Sequence, residues 1–345
     1  VTPYSDDQIR RLRDLVDRPD LSGTRYTVER RLAMGGMATV FLVHDHDLDR
    51  QLAMKILTLP DGGEDMAPRM LREAKIVAQL EHPGIVPIHD VGTLPDGRVY
   101  YTMKLVQGKT LEQEMASPGP LNDRLRLFLR ICEAVAFAHS RGVLHRDLKP
   151  SNIMIGAFGE ALVMDWGVAA RLSTTDGREG GPINPAGGIS TQSGTVIGTP
   201  GYLSPEQAAG DHRRIDHRSD VYGLGAVLYY ILTGHAPFPA QPIVAALERA
   251  QRGEFPPPRA FNPDLPRALE AICLKAMALD PGNRYQSVNA LAADIGAFLD
   301  DQPVAARPER RWEKIGRWLA RNQFIVIIAL VYIVIRFFFL LWRGL

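Results

Sequence analysis

Two polar motifs, HRDLKPSN from His145 to Asn152 and DWG from Asp165 to Gly167, flank a short apolar stretch, and no other feature constrains this chain as strongly. Between them they place two aspartates, a lysine and an asparagine in a fixed order. Those residue types suit a site that handles phosphate. A carboxylate can orient an attacking hydroxyl, a cation can hold phosphate charge, and carboxylate and amide oxygens can bind a divalent metal. A fold for this chain has to bring Asp147, Lys149, Asn152 and Asp165 to one place.

At 345 residues the chain is long for one ordinary domain, and an apolar fraction of 46% is enough for a sizeable core. The formal net charge of +1 creates no global field, so nucleic acid is not an expected partner. Cys132 and Cys273 sit in apolar, helix-like stretches without CxxC or Cys/His spacing, which points to a reducing compartment and no structural metal.

Ser5 to Arg18 carries Ser5 as an N-cap, Gln8 in the capping-box position, and Ile9, Leu12, Leu15 and Val16 at helical spacing. A short amphipathic helix is expected there. From Tyr26 the runs YTVERRLA, TVFLVHD and QLAMKIL read as a hairpin followed by a third strand. A helix is expected over Ala67 to Leu80, with Met70, Ile76, Val77 and Leu80 on one face. IVPIHDVG and RVYYTMKLV read as two further strands about the turn Pro95-Asp96-Gly97. From Leu111 the chain reads mostly helical. Arg171 to Gly198 is crowded with Gly, Ser, Thr and Pro, has no hydrophobic periodicity, and is expected to be a mobile loop. Periodicity by itself says only α plus β.

In residue types and spacing the motifs resemble the protein kinases, specifically the bacterial serine/threonine kinases of eukaryotic type. The likeness runs from about Tyr26 to Leu299. It implies an α+β, two-lobed protein-kinase-like fold over 26–299, with a β-rich N-lobe (26–106), a mainly helical C-lobe (107–299) and an activation loop at about 165–206. Residues 1–25 are expected to form an amphipathic helical extension to that domain. Under the resemblance Asp147 is the catalytic base and Lys149 neutralises the transferring phosphoryl group. HRDLKPSN is the serine/threonine rather than the tyrosine pattern. Asn152 and Asp165 become the metal ligands. Lys55, in LAMK, matches the strand lysine that contacts the α- and β-phosphates, and Glu73 matches the helix glutamate that pairs with it. In GTPGYLSPEQA, Thr199 bonds around the catalytic aspartate and Glu206 pairs with a distal arginine, here Arg284 of PGNRYQS. Asp220 of RSDVYGLG steadies the catalytic loop.

The nucleotide site implied by the resemblance comprises Leu32, Ala33, Gly35, Gly36, Ala38 and Val40 around the phosphate loop. Ala53, Lys55, Lys104 and Val106 complete it. The implied cofactors are ATP and Mg2+, with Mn2+ as a substitute. The implied partners are proteins with Ser/Thr acceptors and a second copy of the chain for trans-autophosphorylation. Two departures stand out. The pattern G-x-G-x-x-G-x-V falls on Ala33, Gly35, Ala38 and Val40, so two glycines are alanines, and an alanine forced into a left-handed conformation costs roughly 1–2 kcal/mol. Trp166 stands where the family usually has Phe, which bears on how that motif moves between states. Arg146 before the base points to control by phosphate on the loop. Ser190, Thr191, Ser193 and Thr195 are favoured acceptors over Ser173, Thr174 and Thr175, which lie nearer DWG.

Phe324 to Trp342, FIVIIALVYIVIRFFFLLW, is nineteen residues interrupted by one charge, Arg336. A bilayer needs roughly 20 apolar residues. Arg336 costs about 2.5–3.5 kcal/mol at mid-membrane, against roughly −0.3 to −0.6 for each of the Leu, Ile, Phe and Val residues when central, so the apolar sum wins. Arg307, Arg310, Arg311, Lys314, Arg317 and Arg321 outnumber Glu309 and Glu313 just before it, which by the positive-inside rule keeps the preceding domain cytoplasmic. The expectation is a basic linker over 300–322 and a single transmembrane helix over 323–342 in the inner membrane. Two other readings compete: a nucleotide-binding scaffold without catalysis, suggested by the lost glycines, and a small-molecule phosphotransferase, disfavoured by GTPGYLSPEQA. The intact chain should sediment with membranes and be released by detergent but not by high salt; release without detergent would refute the anchor.

Overall fold

The computed structural model describes residues 18–34, 38–57, 66–166, 170–171, 189–191, 194–196, 199–238, 242–308 and, near the end, 327–328, 330–333 and 335–336. Apart from Arg18, the helix expected over Ser5 to Arg18 lies outside the described residues, as do Gly35 and Gly36. In the first lobe, β1 (Tyr26–Met34), β2 (Ala38–Asp45), β3 (Arg50–Leu57), β4 (Ile88–Thr93) and β5 (Val99–Lys104) form an antiparallel sheet in the order β1-β2-β3-β5-β4. Alternation along β3 covers both faces of this sheet. Leu52, Met54 and Ile56 join Tyr26, Phe41, Val43 and Tyr100 in one apolar cluster. Ala53 and Leu57 face the other way, into a cluster with Met70 and Ala74 of helix α1 (Met66–Val77). Lys55 belongs to that second set by parity, which turns it toward α1 and the cleft.

The second lobe is built on α5 (His217–Thr233), buried on almost every side from Ser219 to Leu232. A helix apolar all round has to be central, and this one is. Asp216 caps its start by accepting from the Arg218 N–H, and Gly234 ends it at φ 75°. Before it come α2 (Leu111–Met115), α3 (Leu121–Ser140) and α4 (Pro205–Ala208), and after it α6 (Ile243–Arg252), α7 (Arg267–Ala276) and α8 (Val288–Leu299). On the cleft side lie β6 (Gly108–Thr110), β7 (Val143–Leu144), β8 (Ile153–Gly156) and β9 (Ala161–Val163), with β6-β8-β9 as one small sheet. A bridge between Ile85 and Val163 ties the connection after α1 to β9.

Three details differ from the sequence expectations. Helix α1 ends at Val77 rather than Leu80, because Gln79 and Leu80 bond three residues back in a tightened turn before Pro83. The stretch from Arg171 to Gly198, expected to be a loop, begins in β10 (Ala170–Arg171), which pairs with β7, and holds a short antiparallel pair of β11 (Ile189–Thr191) with β12 (Gly194–Val196). Pairing across so few residues leaves no hydrophobic period to read. Ala33 and Ala38 lie in paired strands, opposite Val40 and Leu57, so the strain expected of left-handed alanines does not arise.

The end of the loop is pinned to the second lobe by a buried ion pair. Arg284 donates from Nη1 and Nη2 to the two carboxylate oxygens of Glu206 at 2.7 and 2.8 Å. Its remaining donors reach the carbonyls of Arg218, Ala278 and Leu279. Ser219 also donates to Glu206, at 2.6 Å. Burial acts against the charged form of Glu206, but Arg284 and Ser219 outweigh it and the pKa is lowered. A buried charge left without its partner costs about 3–5 kcal/mol. Glu206→Gln should therefore lower the unfolding free energy at neutral pH by roughly that amount in urea titrations. Because the folded-state pKa is depressed, the gap between wild type and variant should be full above the ordinary carboxylate range. It should shrink as pH falls through the lowered value.

Candidate active site

The segment His145 to Asn152 follows β7 and closes in a tight turn at Pro150–Asn152. Its conformation is set from below by α5. Asp220, only 2% exposed, accepts from the backbone N–H groups of His145 and Arg146, each at 2.8 Å, and contacts Nε2 of His139 on α3 at 2.8 Å. Burial pushes this carboxyl toward neutrality, but His139 and His145 outweigh that and its pKa lies below the usual aspartate value. Arg146 takes up φ 69°, a conformation few side chains adopt without such restraint. Gln207 of α4 donates to the Arg146 carbonyl at 2.6 Å, which links the end of the activation segment to the same loop.

Asp147 then presents a carboxylate held from three sides. Its Oδ2 accepts from Lys149 Nζ at 2.8 Å and from Asn152 Nδ2 at 3.1 Å, and its Oδ1 accepts from the Thr199 N–H at 3.0 Å. Lys149 Nζ also donates to the Thr199 hydroxyl at 2.5 Å. Asn152 uses Nδ2 on the Asp147 carbonyl as well, which leaves its Oδ1 for a different partner. The backbone N–H of Met164 donates to the Asn152 carbonyl at 2.8 Å, so the approach to Asp165 is tied to the turn that carries Asn152.

Asp165 adopts φ 58° and receives Lys55 Nζ on Oδ1 at 2.5 Å. Desolvation in the cleft opposes its charge, although 47% of the side chain stays exposed, and Lys55, supported by His145 and Lys149, outweighs it and lowers the pKa. The expected partner of Lys55 was Glu73. That residue lies on α1, but its side chain is outside the described residues, and the pairing the structure records is with Asp165.

The apolar half of the cleft gathers residues from both lobes. Leu32 and Val40 from the first hairpin, Ala53 from β3 and Val106 from the connection between lobes share one cluster. Lys104 is exposed, and its backbone N–H donates to the Pro87 carbonyl at 3.1 Å. The sequence reading did not single out Met103, buried at the end of β5, or Met154, which reaches the cluster from β8. Met154 was detectable by parity, since Ile153 and Ile155 on either side of it belong to the second-lobe core. His139 and Gln207 were also missed as supports of the catalytic loop; neither carries a local signal.

A two-lobed fold with a polar cleft of this make-up defines a class of nucleotide-dependent phosphotransferases. The chain belongs to the protein kinase domain family, whose profile matches residues 26–294. It is 38% identical over 280 residues to the serine/threonine-protein kinase PrkC of Bacillus subtilis, covering 80% of this chain and 41% of that protein. To the serine/threonine-protein kinase PknB of Mycolicibacterium smegmatis it is 35% identical, covering 91% of this chain and 55% of that one. The chain thus spans about half the length of the curated relatives it matches. The crystal structure of the Mycobacterium tuberculosis PknI kinase domain superposes with a TM-score of 0.59 at 27% identity, covering 79% of this chain and 95% of that one.

Membership implies ATP and a divalent metal, and the donors present fit them. Asn152 Oδ1 and the Asp165 carboxylate are oxygen ligands, the kind that hard divalent cations take. Among the described residues no cluster of three His, Cys, Asp or Glu side chains could hold a metal ion. Asp220→Asn keeps the side-chain shape and weakens bonds to a charged acceptor, each worth about 1.5–3 kcal/mol. Amide exchange at His145 and Arg146 should accelerate while the centre of α5 stays protected; equal acceleration in both places would refute a local role.

Proposed function

We propose that this chain is an active serine/threonine protein kinase that transfers the γ-phosphoryl group of ATP to protein hydroxyls with Mg2+ as the metal. The observation that carries this reading is the Asp147 carboxylate, restrained by Lys149, Asn152 and the Thr199 backbone with part of Oδ1 left to accept. ATP supplies the phosphoryl group, and Mg2+ neutralises charge on its oxygens.

In this proposal Asp147 orients the substrate hydroxyl and accepts its proton as the new P–O bond forms and the bond from the γ-phosphorus to the bridging oxygen breaks, with ADP leaving. Lys149 Nζ, already beside Asp147 and Thr199, stabilises negative charge on the group in transit. Asn152 Oδ1 and Asp165 hold the metal, Lys55 holds the phosphates, and Glu73 orients Lys55. Leu32, Val40, Ala53, Met103 and Val106 shield the base of the nucleotide from water. Thr199 belongs to both the catalytic loop network and the platform on which a peptide would lie, which favours protein over small-molecule acceptors.

The same proposal includes control by phosphorylation between Ser190 and Thr195, in trans by a second copy, and attachment to the inner membrane by residues 323–342. Among the described residues no helix is long and apolar enough to cross a membrane, and most of that segment lies outside them. Its described residues are helical with exposed apolar side chains, including Ile327, Ile328, Leu330 and Ile333, and Arg336 donates to the Tyr332 hydroxyl at 3.2 Å. That exposure supports an apolar environment, and the basic flank in the sequence supports a kinase domain on the cytoplasmic side.

The test is autophosphorylation of the intact chain with labelled ATP and Mg2+. Asp147→Asn should lower the rate by about 10²–10⁴-fold with ATP binding retained. Phosphopeptides from wild type should map to 190–195. A wild type that binds ATP but never incorporates label would establish the scaffold reading instead.

A further inference from the structure

Trp166 stands where the resemblance leads one to expect phenylalanine, and indole adds to the phenyl ring a second fused ring and one N–H group. That group is in use. Trp166 is 2% exposed, and its Nε1–H donates to the Val163 carbonyl at 3.2 Å. The bond closes over Met164 and Asp165, so it brackets the residue that sits at φ 58°. Its anchor is firm. Val163 is fully buried in β9, pairs with Ile153 of β8, and donates its own N–H to the Gly84 carbonyl at 2.8 Å.

The indole also reaches the other half of the site. Its ring lies 4.6 Å from the ring of His145, tilted at 54°. His145 accepts from the Asp147 N–H at Nδ1, at 3.2 Å, and lies 3.0 Å from the Met164 carbonyl through Nε2. With Nδ1 accepting, Nε2 carries the proton and donates to Met164. The backbone around Asp165 is thereby tethered at three successive points. The Met164 N–H is held by Asn152, the Met164 carbonyl by His145, and the Val163 carbonyl by Trp166.

We propose that Trp166 is a positioning residue, which through its indole N–H holds Asp165 in the conformation that faces Lys55 and the cleft. Phenylalanine can fill most of the same volume but cannot make the bond. The left-handed backbone at Asp165 is intrinsically unfavourable and needs restraint from its surroundings. One net hydrogen bond corresponds to roughly a three- to tenfold shift between the inward conformation and its alternatives. The effect should be largest when neither nucleotide nor metal is bound, since then only the protein restrains the aspartate.

The test compares wild type, Trp166→Phe and a protein carrying benzothienylalanine at 166, which has the shape of the indole without its N–H. Amide exchange is measured on the intact chain free of nucleotide and metal. Both variants should exchange about three- to tenfold faster than wild type in the peptide spanning Ala161 to Trp166, with peptides from α3 and α5 unchanged. In a second measurement, which rests on Asp165 being a metal ligand, the Mg2+ concentration for half-maximal binding of a non-hydrolysable ATP analogue should rise by a similar factor.

Uniform acceleration across α3 and α5 in Trp166→Phe, with wild-type exchange in the benzothienylalanine protein, would mean that the indole only fills space and would overturn the proposal. So would unchanged exchange at 161–166 in both variants. Altered exchange together with unchanged metal dependence would leave the tether standing and remove the metal role from Asp165, so failure of the kinase reading and failure of this one are separable.

Discussion

The carboxylate of Asp220, buried in the central helix of the second lobe, is bonded to the backbone N–H groups of His145 and Arg146 and to the ring of His139. Everything in the cleft is measured from that anchor. A loop of charged residues has little apolar surface with which to fix itself, and its left-handed Arg146 is unfavourable on its own. A buried anion surrounded by donors supplies the restraint, and it also sets the direction in which Asp147 points. The cost of burying the anion is offset because its neighbours keep it fully bonded.

The same logic recurs a short distance away. Glu206 and Arg284 fix the far end of the activation segment to the body of the lobe, and Arg284 has all its donors satisfied. Gln207, next to Glu206, then reaches the Arg146 carbonyl. The activation segment and the catalytic loop thus share supports on the same helix, since Ser219 bonds Glu206 and Asp220 bonds the backbone of His145 and Arg146. Thr199 completes the link, since its backbone and hydroxyl meet Asp147 and Lys149 respectively.

The two lobes meet through a different kind of interaction. Apolar side chains of β3, β5 and the first hairpin pack with Met154 of β8 and Leu162 of β9, and this cluster forms one wall of the cleft. The ion pair between Lys55 and Asp165 crosses the opening beside it. The first needs shape and the second needs charge, so the cleft has an apolar side suited to a base and a polar side suited to phosphates. Trp166 belongs to both, with an apolar ring against His145 and a polar edge on Val163.

Much of this is legible in the sequence. The alternation of Leu52, Met54 and Ile56 against Ala53 and Leu57 marks β3 and its two faces. The apolar length of DVYGLGAVLYYILTG marks a central helix, and the motifs from His145 to Asp165 name the chemistry, because residue type and period are properties of the chain itself. Partner choice is not. Lys55 lies 110 residues from Asp165, and Asp147 lies 52 from the Thr199 N–H that it accepts. Nothing local distinguishes His139 or Gln207 from any polar residue on a helix, and Met154 gains meaning only when β8 is laid beside the first lobe. Residue types and their order along the strands and helices, the oxygen donors and cations of the cleft among them, are properties of the chain. Tertiary structure alone decided which of them touch, because a hydrogen bond or an apolar contact acts over a few ångströms, and only the packed fold brings residues so distant in the chain within that reach.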